Sequence, residues 1–188
     1  HTRLRTVTGV QTCALPISVA KSAGAGKVIA LGAPENRIKL AKRFGAEYVI
    51  NIEEVKTPED RVAAVRALTG GYGADVVLEC VGAPGAVVEG MEMCRDGAKY
   101  LILGHYCDAG SVAWNPHVVT RKQLTVVGAW SSEPRHLRAA LGFLAENQER
   151  FPFAEMVSHR FGLGDVNRAL ATTASWEATK GVVVPALG

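Results

Sequence analysis

No uncharged apolar run in the 188 residues approaches the roughly 18 that a membrane-spanning helix requires, and no ordered charge, apolar stretch and small-residue site reads as a secretory signal. Nothing in the chain addresses it to a membrane, and cytoplasmic residence is the expectation. Cysteine is sparse and scattered. Cys13, Cys80, Cys94 and Cys107 form no Cys-x-x-Cys pair and have no histidine at metal-ligand spacing, which argues against a structural zinc or a disulfide framework. Internal repeats and low-complexity tracts are absent, so the chain reads as neither solenoid nor linker. Acid is missing from residues 1–18, which hold Arg3 and Arg5. Outside that stretch 19 basic residues face 18 acidic ones, so the formal charge of +3 is no argument for a nucleic-acid partner.

What is present is ordinary for one soluble core, 48% hydrophobic and 21% charged, and from Val19 onward it alternates. "KVIAL" reads as a strand. "PENRIKLAKRF" reads as a helix with Pro at its start, a buried stripe of Ile38, Leu40, Ala41 and Phe44, and Gly45 at its end. "EYVIN" is the next strand, and "TPEDRVAAVRALTGG" has an acidic helix start and a glycine stop. "ADVVLEC" has the continuous apolar character of a strand buried on both faces. Helix "AVVEGMEMC" and strands "AKYLILG" and "LTVVGA" complete the series. Such alternation predicts a doubly wound α/β domain with a parallel sheet and right-handed crossovers.

In that architecture ligands bind at the carboxyl ends of the strands. Glycine stands just after four of the five strands, at Gly32, Gly82, Gly104 and Gly128, with Asn51 after the other. One such glycine simply ends a strand; four favour backbone that a flat ligand approaches closely. The Gly-x-Gly-x-x-Gly turn that receives a pyrophosphate is absent, however. Gly24-Ala25-Gly26 follows a helix tail and reads as a helix stop, and Lys27 before Val28 fits no phosphate-cradling loop. "VAKSA" is then the end of a helix whose first strand and glycine turn belong where "VTGVQTCALPIS" stands. That string resembles the conceptual translation of a sequencing-library adapter, from Val7 through Ile17 without a gap. Residues 1–18 are accordingly expected to be a non-native leader in which Cys13 has no function. The competing reading is a genuine apolar strand with a Pro-containing turn.

The remainder resembles the carboxyl-terminal half of the zinc-containing alcohol dehydrogenase family, the medium-chain dehydrogenases and reductases. "GKVIALGAPENRIKLAKRFGAEYVIN", "GADVVLECVG", "GAKYLILG", "LTVVGAW" and "HRFGLGDVNRALATTASWEATKGVVV" carry the resemblance, which covers about nine-tenths of the chain. It implies a truncated Rossmann-type sheet lacking its first strand and glycine turn. The boundaries it implies are residues 19–130 for the dinucleotide-binding domain and 131–188 for a segment of the catalytic domain. It further implies that Gly32 and Arg37 lie at the adenine ribose and that Lys180 pairs with the pyrophosphate. Three loops would line the nicotinamide side, largely through backbone groups: Cys80-Val81-Gly82, Leu103-Gly104-His105 and Val127-Gly128-Ala129. Arg37 and Lys180 also have the plainer reading of solvated charges, and Glu79 that of a satisfied structural carboxylate. His105 and His159 show no ligand partners, and Asp165 with Asn167 looks like helix-start chemistry.

The cofactor implied is NAD or NADP. Gly32 replaces the acid that holds the ribose in NAD-preferring relatives, but no basic residue follows it immediately, and with Glu35 nearby NAD is favoured. Zinc belongs to the parent protein, with its ligands and all catalytic residues in an amino-terminal domain not represented here. "MVSHRF" and "GVVVP" are expected to be strands without their partners. The function implied is hydride transfer between a small alcohol or polyol and NAD(P), by a parent that self-associates through the apolar edge strand "LTVVGA". A zinc-free quinone or enoyl reductase and a non-catalytic nucleotide-binding module are the alternatives.

Overall fold

The computed structural model describes residues 6–10, by their backbone, and residues 14–187. Arg3, Arg5 and Cys13 lie outside the described residues. Six parallel strands form the main sheet: β1 (Thr6–Val10), β2 (Lys27–Gly32), β3 (Tyr48–Asn51), β4 (Ala74–Glu79), β5 (Cys94–Ile102) and β6 (Thr125–Gly128). Their order is β3-β2-β1-β4-β5-β6, so the winding reverses between β1 and β4. This is the doubly wound sheet expected from the alternation.

One expectation is corrected. The first strand is not missing: Thr6–Val10, within the adapter-like leader, lies between β2 and β4, with Val10 opposite Leu31 on one side and Glu79 on the other. The physical reason is local. Four of its five residues are β-branched, and a gap at the sheet centre would leave the facing N–H and C=O groups of β2 and β4 unpaired. The origin of a codon string carries no information about its strand propensity.

Helices α1 (Ala14–Ser22) and α2 (Glu35–Arg43) cover one face, and α3 (Pro58–Leu68), α4 (Pro84–Met93) and α5 (His117–Arg121) the other. Pro16 falls in the first turn of α1, where a missing N–H is tolerated. Gly24, at φ +86°, ends that helix as read from the sequence, and Gly45 at φ +100° does the same after α2. The stripe of α2 is buried at Ile38, Ala41 and Phe44. Thr57 caps α3 by accepting the Asp60 N–H at 3.1 Å. Arg61 joins α3 to α4 through two bonds to the Glu89 carboxylate, at 2.6 and 2.7 Å. That pairing holds the Arg61 pKa above its ordinary value.

Beyond β6 come α6 (Pro134–Asn147), β7 (His159–Phe161), α7 (Val166–Ala174) and β8 (Gly181–Val183). A second expectation is corrected here. The strands of "MVSHRF" and "GVVVP" do have partners, because β7 and β8 pair with each other in parallel, His159 opposite Gly181 and Phe161 opposite Val183. α7 is the crossover between them, which makes a small βαβ unit. This region also reaches the main core: Phe151 stacks on Phe44 at 6.1 Å, and Phe153 and Met156 pack against the α1/α2 cluster. Asp165 stands at the start of α7 as expected, but its carboxylate pairs with Arg168 at 2.9 Å instead of capping a backbone N–H.

Candidate functional site

A parallel sheet gathers the carboxyl ends of its strands on one edge. Asn51 lies opposite Gly32, Glu79 opposite both Val10 and Ile102, and Ile102 opposite Gly128. The predicted residues therefore fall into two groups on either side of β1. Gly32 and Arg37 lie towards β3, and the loops after β4, β5 and β6 lie on the other side.

The second group is tied together by Glu79, whose side chain is 0% exposed. Its Oε1 accepts the N–H groups of Val81 at 2.6 Å and Gly82 at 2.7 Å, and its Oε2 accepts that of Gly104 at 3.1 Å. Its backbone carbonyl accepts the Leu103 N–H at 2.8 Å. A carboxylate can be buried at this point because donors from two loops surround it. This is the satisfied structural carboxylate of the sequence reading, with a consequence for the loops: the N–H groups of Val81, Gly82, Leu103 and Gly104 are already engaged. A ligand on this side meets carbonyl oxygens and side chains instead.

The glycines of these loops also have a second reason. Gly82 is at φ +79°, and a Cβ there would run into the Gly104 carbonyl, while a Cβ on Gly104 would lie 2.5 Å from the Val81 nitrogen. Both are glycine because the two loops pass backbone against backbone. Gly128 has nothing within 4 Å of its would-be Cβ. Cys80 is half-buried, and His105 lies with Nε2 3.8 Å from Glu79 Oε2, too far for a hydrogen bond. Among the described residues that nitrogen has no hydrogen-bond partner. Next to Val127 and Gly128, the Ala129 N–H donates to the Ile102 carbonyl at 3.1 Å, which closes the third loop onto β5.

On the other side of β1, the Arg37 guanidinium lies over the Trp176 ring, 4.6 Å from its centre. Trp176 is held there by Asn36, whose side-chain amide donates to the carbonyls of Trp176 at 3.2 Å and Glu177 at 2.9 Å. Trp176 itself has φ +65°, in the turn that precedes β8. A cleft of about 310 Å³ opens beside it, lined by Ala33, Pro34, Ile52, Glu53, Ser175 and Trp176. Lys180 is exposed at the foot of β8, its carbonyl accepting the Ser158 N–H at 3.0 Å. A larger groove of about 690 Å³ runs between α3 and α4 and touches none of the predicted residues.

Sequence reasoning missed two side chains here. Asn36 was unremarkable in an exposed helix turn, and Trp176 lay 140 positions away from it. Lys122 was missed as well: it is 2% exposed, and its ammonium donates to the carbonyls of Met91, Glu92 and Cys94 at 2.9, 2.9 and 3.1 Å, closing the C-terminus of α4. Among the described residues no group of three or more His, Cys, Asp or Glu side chains could hold a metal ion.

Residues 13–146 match the family described as zinc-binding dehydrogenase. A sorbitol dehydrogenase of Halalkalibacterium halodurans is 34% identical over 173 residues, 91% of this chain and 48% of the relative. A 5-exo-hydroxycamphor dehydrogenase of Pseudomonas putida is 30% identical over 89% of this chain and 46% of its own length. Among solved structures, an alcohol dehydrogenase of Thermotoga maritima superposes with a TM-score of 0.86 at 30% identity, covering 95% of this chain and 49% of that one. The chain spans about half the length of the curated relatives it matches.

Proposed function

Because this chain belongs to the zinc-binding dehydrogenase family, we propose that it forms the nicotinamide-dinucleotide side of an enzyme that moves hydride between a small alcohol and its carbonyl compound. The observation that carries the proposal is the row of strand ends at the reversal point of the β3-β2-β1-β4-β5-β6 sheet, with Glu79 gathering two of the loops beside it. Bound there, the nicotinamide would supply or accept the hydride. The chain's own part is positioning. Arg37 and the Trp176 cleft would face the adenosine end, Lys180 the pyrophosphate, and the Leu103–His105 and Val127–Ala129 loops the nicotinamide. The family implies zinc too, but among the described residues no three His, Cys, Asp or Glu side chains gather into a ligand set for it.

NAD is favoured over NADP. Glu35 is exposed in the first turn of α2 and Glu53 lines the cleft, and a 2′-phosphate bound beside them would meet two like charges. Self-association belongs to the same reading: β6 is an edge strand, with Val126 38% and Val127 48% exposed. Sedimentation as a clean monomer at micromolar concentration would count against it.

Gln11-Thr12-Cys13, between β1 and α1, contains no glycine. Losing two or three charge-assisted hydrogen bonds to the pyrophosphate, each of about 1.5–3 kcal/mol, weakens binding by several powers of ten. Titration calorimetry with NADH and NADPH should therefore show negligible binding by the chain as it stands. Binding should become measurable, and tighter for NADH, once residues 1–18 are replaced by a strand and a Gly-x-Gly-x-x-Gly turn. Failure of the replaced chain would overturn the dinucleotide reading, and tight binding by the chain as it stands would overturn the turn argument.

A further inference from the structure

Two large rings stand exposed on the ligand-facing edge. Tyr106 and Trp130 are 60% and 73% exposed, and each follows a strand-end glycine by two residues, Gly104 and Gly128. They lie ring on ring, with centroids 5.5 Å apart and planes 19° from parallel. Their backbones are tied down, since the Tyr106 N–H donates to the Gly104 carbonyl at 2.9 Å and the Ala129 N–H to the Ile102 carbonyl at 3.1 Å. A stacked aromatic pair this open to water holds apolar area ready at little conformational cost.

We propose that the Tyr106–Trp130 pair is the platform for the substrate, and that the alcohol or carbonyl compound it receives carries an apolar ring, cyclic aliphatic or aryl, instead of a run of hydroxyls. The inference rests on the functional reading above in taking this edge for the nicotinamide side. A polyol offers these rings little apolar area, because nearly every one of its carbons carries a hydroxyl held in water. An apolar ring carries no such hydroxyls and gains the buried area.

The indole N–H resonances of Trp114, Trp130 and Trp176 provide the test, with Trp130 identified by Trp130→Phe. Titrating the unaltered chain with cyclohexanol and with benzyl alcohol should shift the Trp130 signal saturably, while Trp114 and Trp176, both also exposed, move only with bulk solvent. Sorbitol at equal concentration should leave Trp130 in place. Tyr106→Ser should raise the half-saturation concentration about fivefold or more, and Tyr106→Phe, which keeps the ring, should not. Equal shifts from sorbitol, equal shifts at all three indoles, or no saturable shift would overturn the proposal. The calorimetric test of cofactor binding is read separately, so its failure removes the dinucleotide reading without altering the Trp130 result.

Discussion

Replacing Glu79 by Gln changes one atom for another of similar size inside a fully buried site, and its cost follows from three bonds. As a carboxylate, Glu79 accepts Val81 and Gly82 on Oε1 and Gly104 on Oε2. With its oxygen at the Oε1 position, Gln keeps the first two as neutral bonds, each weaker by about 1 kcal/mol. Its amide nitrogen then faces the Gly104 N–H, donor against donor, which costs about 1–3 kcal/mol more. No longer burying a charge offsets part of this, leaving a net loss of about 2–4 kcal/mol. Urea unfolding followed by far-ultraviolet circular dichroism measures it as a lower midpoint at an unchanged slope. Glu79→Asp, one methylene shorter, should lose a similar amount because it cannot span both loops. A Glu79→Gln variant within about 0.5 kcal/mol of the parent would refute the idea that this carboxylate holds the two loops together.

Lys122→Met should destabilise by about 2 kcal/mol, since it leaves three carbonyls at the end of α4 without their donor, and denaturant unfolding would show it. Gly104→Ala should lower stability by more than about 2 kcal/mol, because its Cβ would meet the backbone of residues 80–82, while Gly128→Ala, in open space, stays within about 0.5 kcal/mol of the parent. Burial pushes the Cys94 thiol up to about 12, with Glu92 adding to the shift and Lys122 opposing it, so maleimide at pH 8 should modify exposed Cys107 well before Cys94. Burial raises the Tyr100 phenol too. The folded chain thus keeps protons that the unfolded chain releases, and the melting temperature should fall as pH rises from about 8.5 towards 12, less steeply in Cys94→Ala and Tyr100→Phe.

Where the physics is local, the sequence told the fold well. Strand and helix alternated with clear punctuation, so β2 to β6 and α2 to α4 lie close to where periodicity and glycine put them, although β5 starts already at Cys94, and of α1 only the end at Gly24 was legible. Thr57 and Gly24 could be read because a cap or a stop depends on its immediate neighbours. Glu79 was legible in outline, an acid in an apolar strand being obliged to find donors, but that one of those donors lies on a second loop, 25 positions further along the chain, was not. The number of glycines after the strands points to close backbone approach, and at Gly82 and Gly104 that approach is between two loops of this chain. Lys122 and Asn36 were invisible because each acts on backbone carbonyls, which leave no trace in side-chain patterns. The pairing of β7 with β8 was not legible, because a three-residue ladder is too short to announce its partner.

The Asn36 amide reaches residues 140 and 141 positions further along the chain. Closing a loop of that span is entropically slow, and it requires everything from Asn36 to Glu177 to exist first. During synthesis the sheet from β1 to β6 has all its strands before Trp176 emerges, but one wall of the cleft beside Ala33 and Pro34 does not yet exist. Arg37 at that stage has no indole beneath it. That wall is therefore added only after the main sheet has its strands, so that a chain interrupted shortly before Ser175 would carry every strand of the main sheet and still lack it.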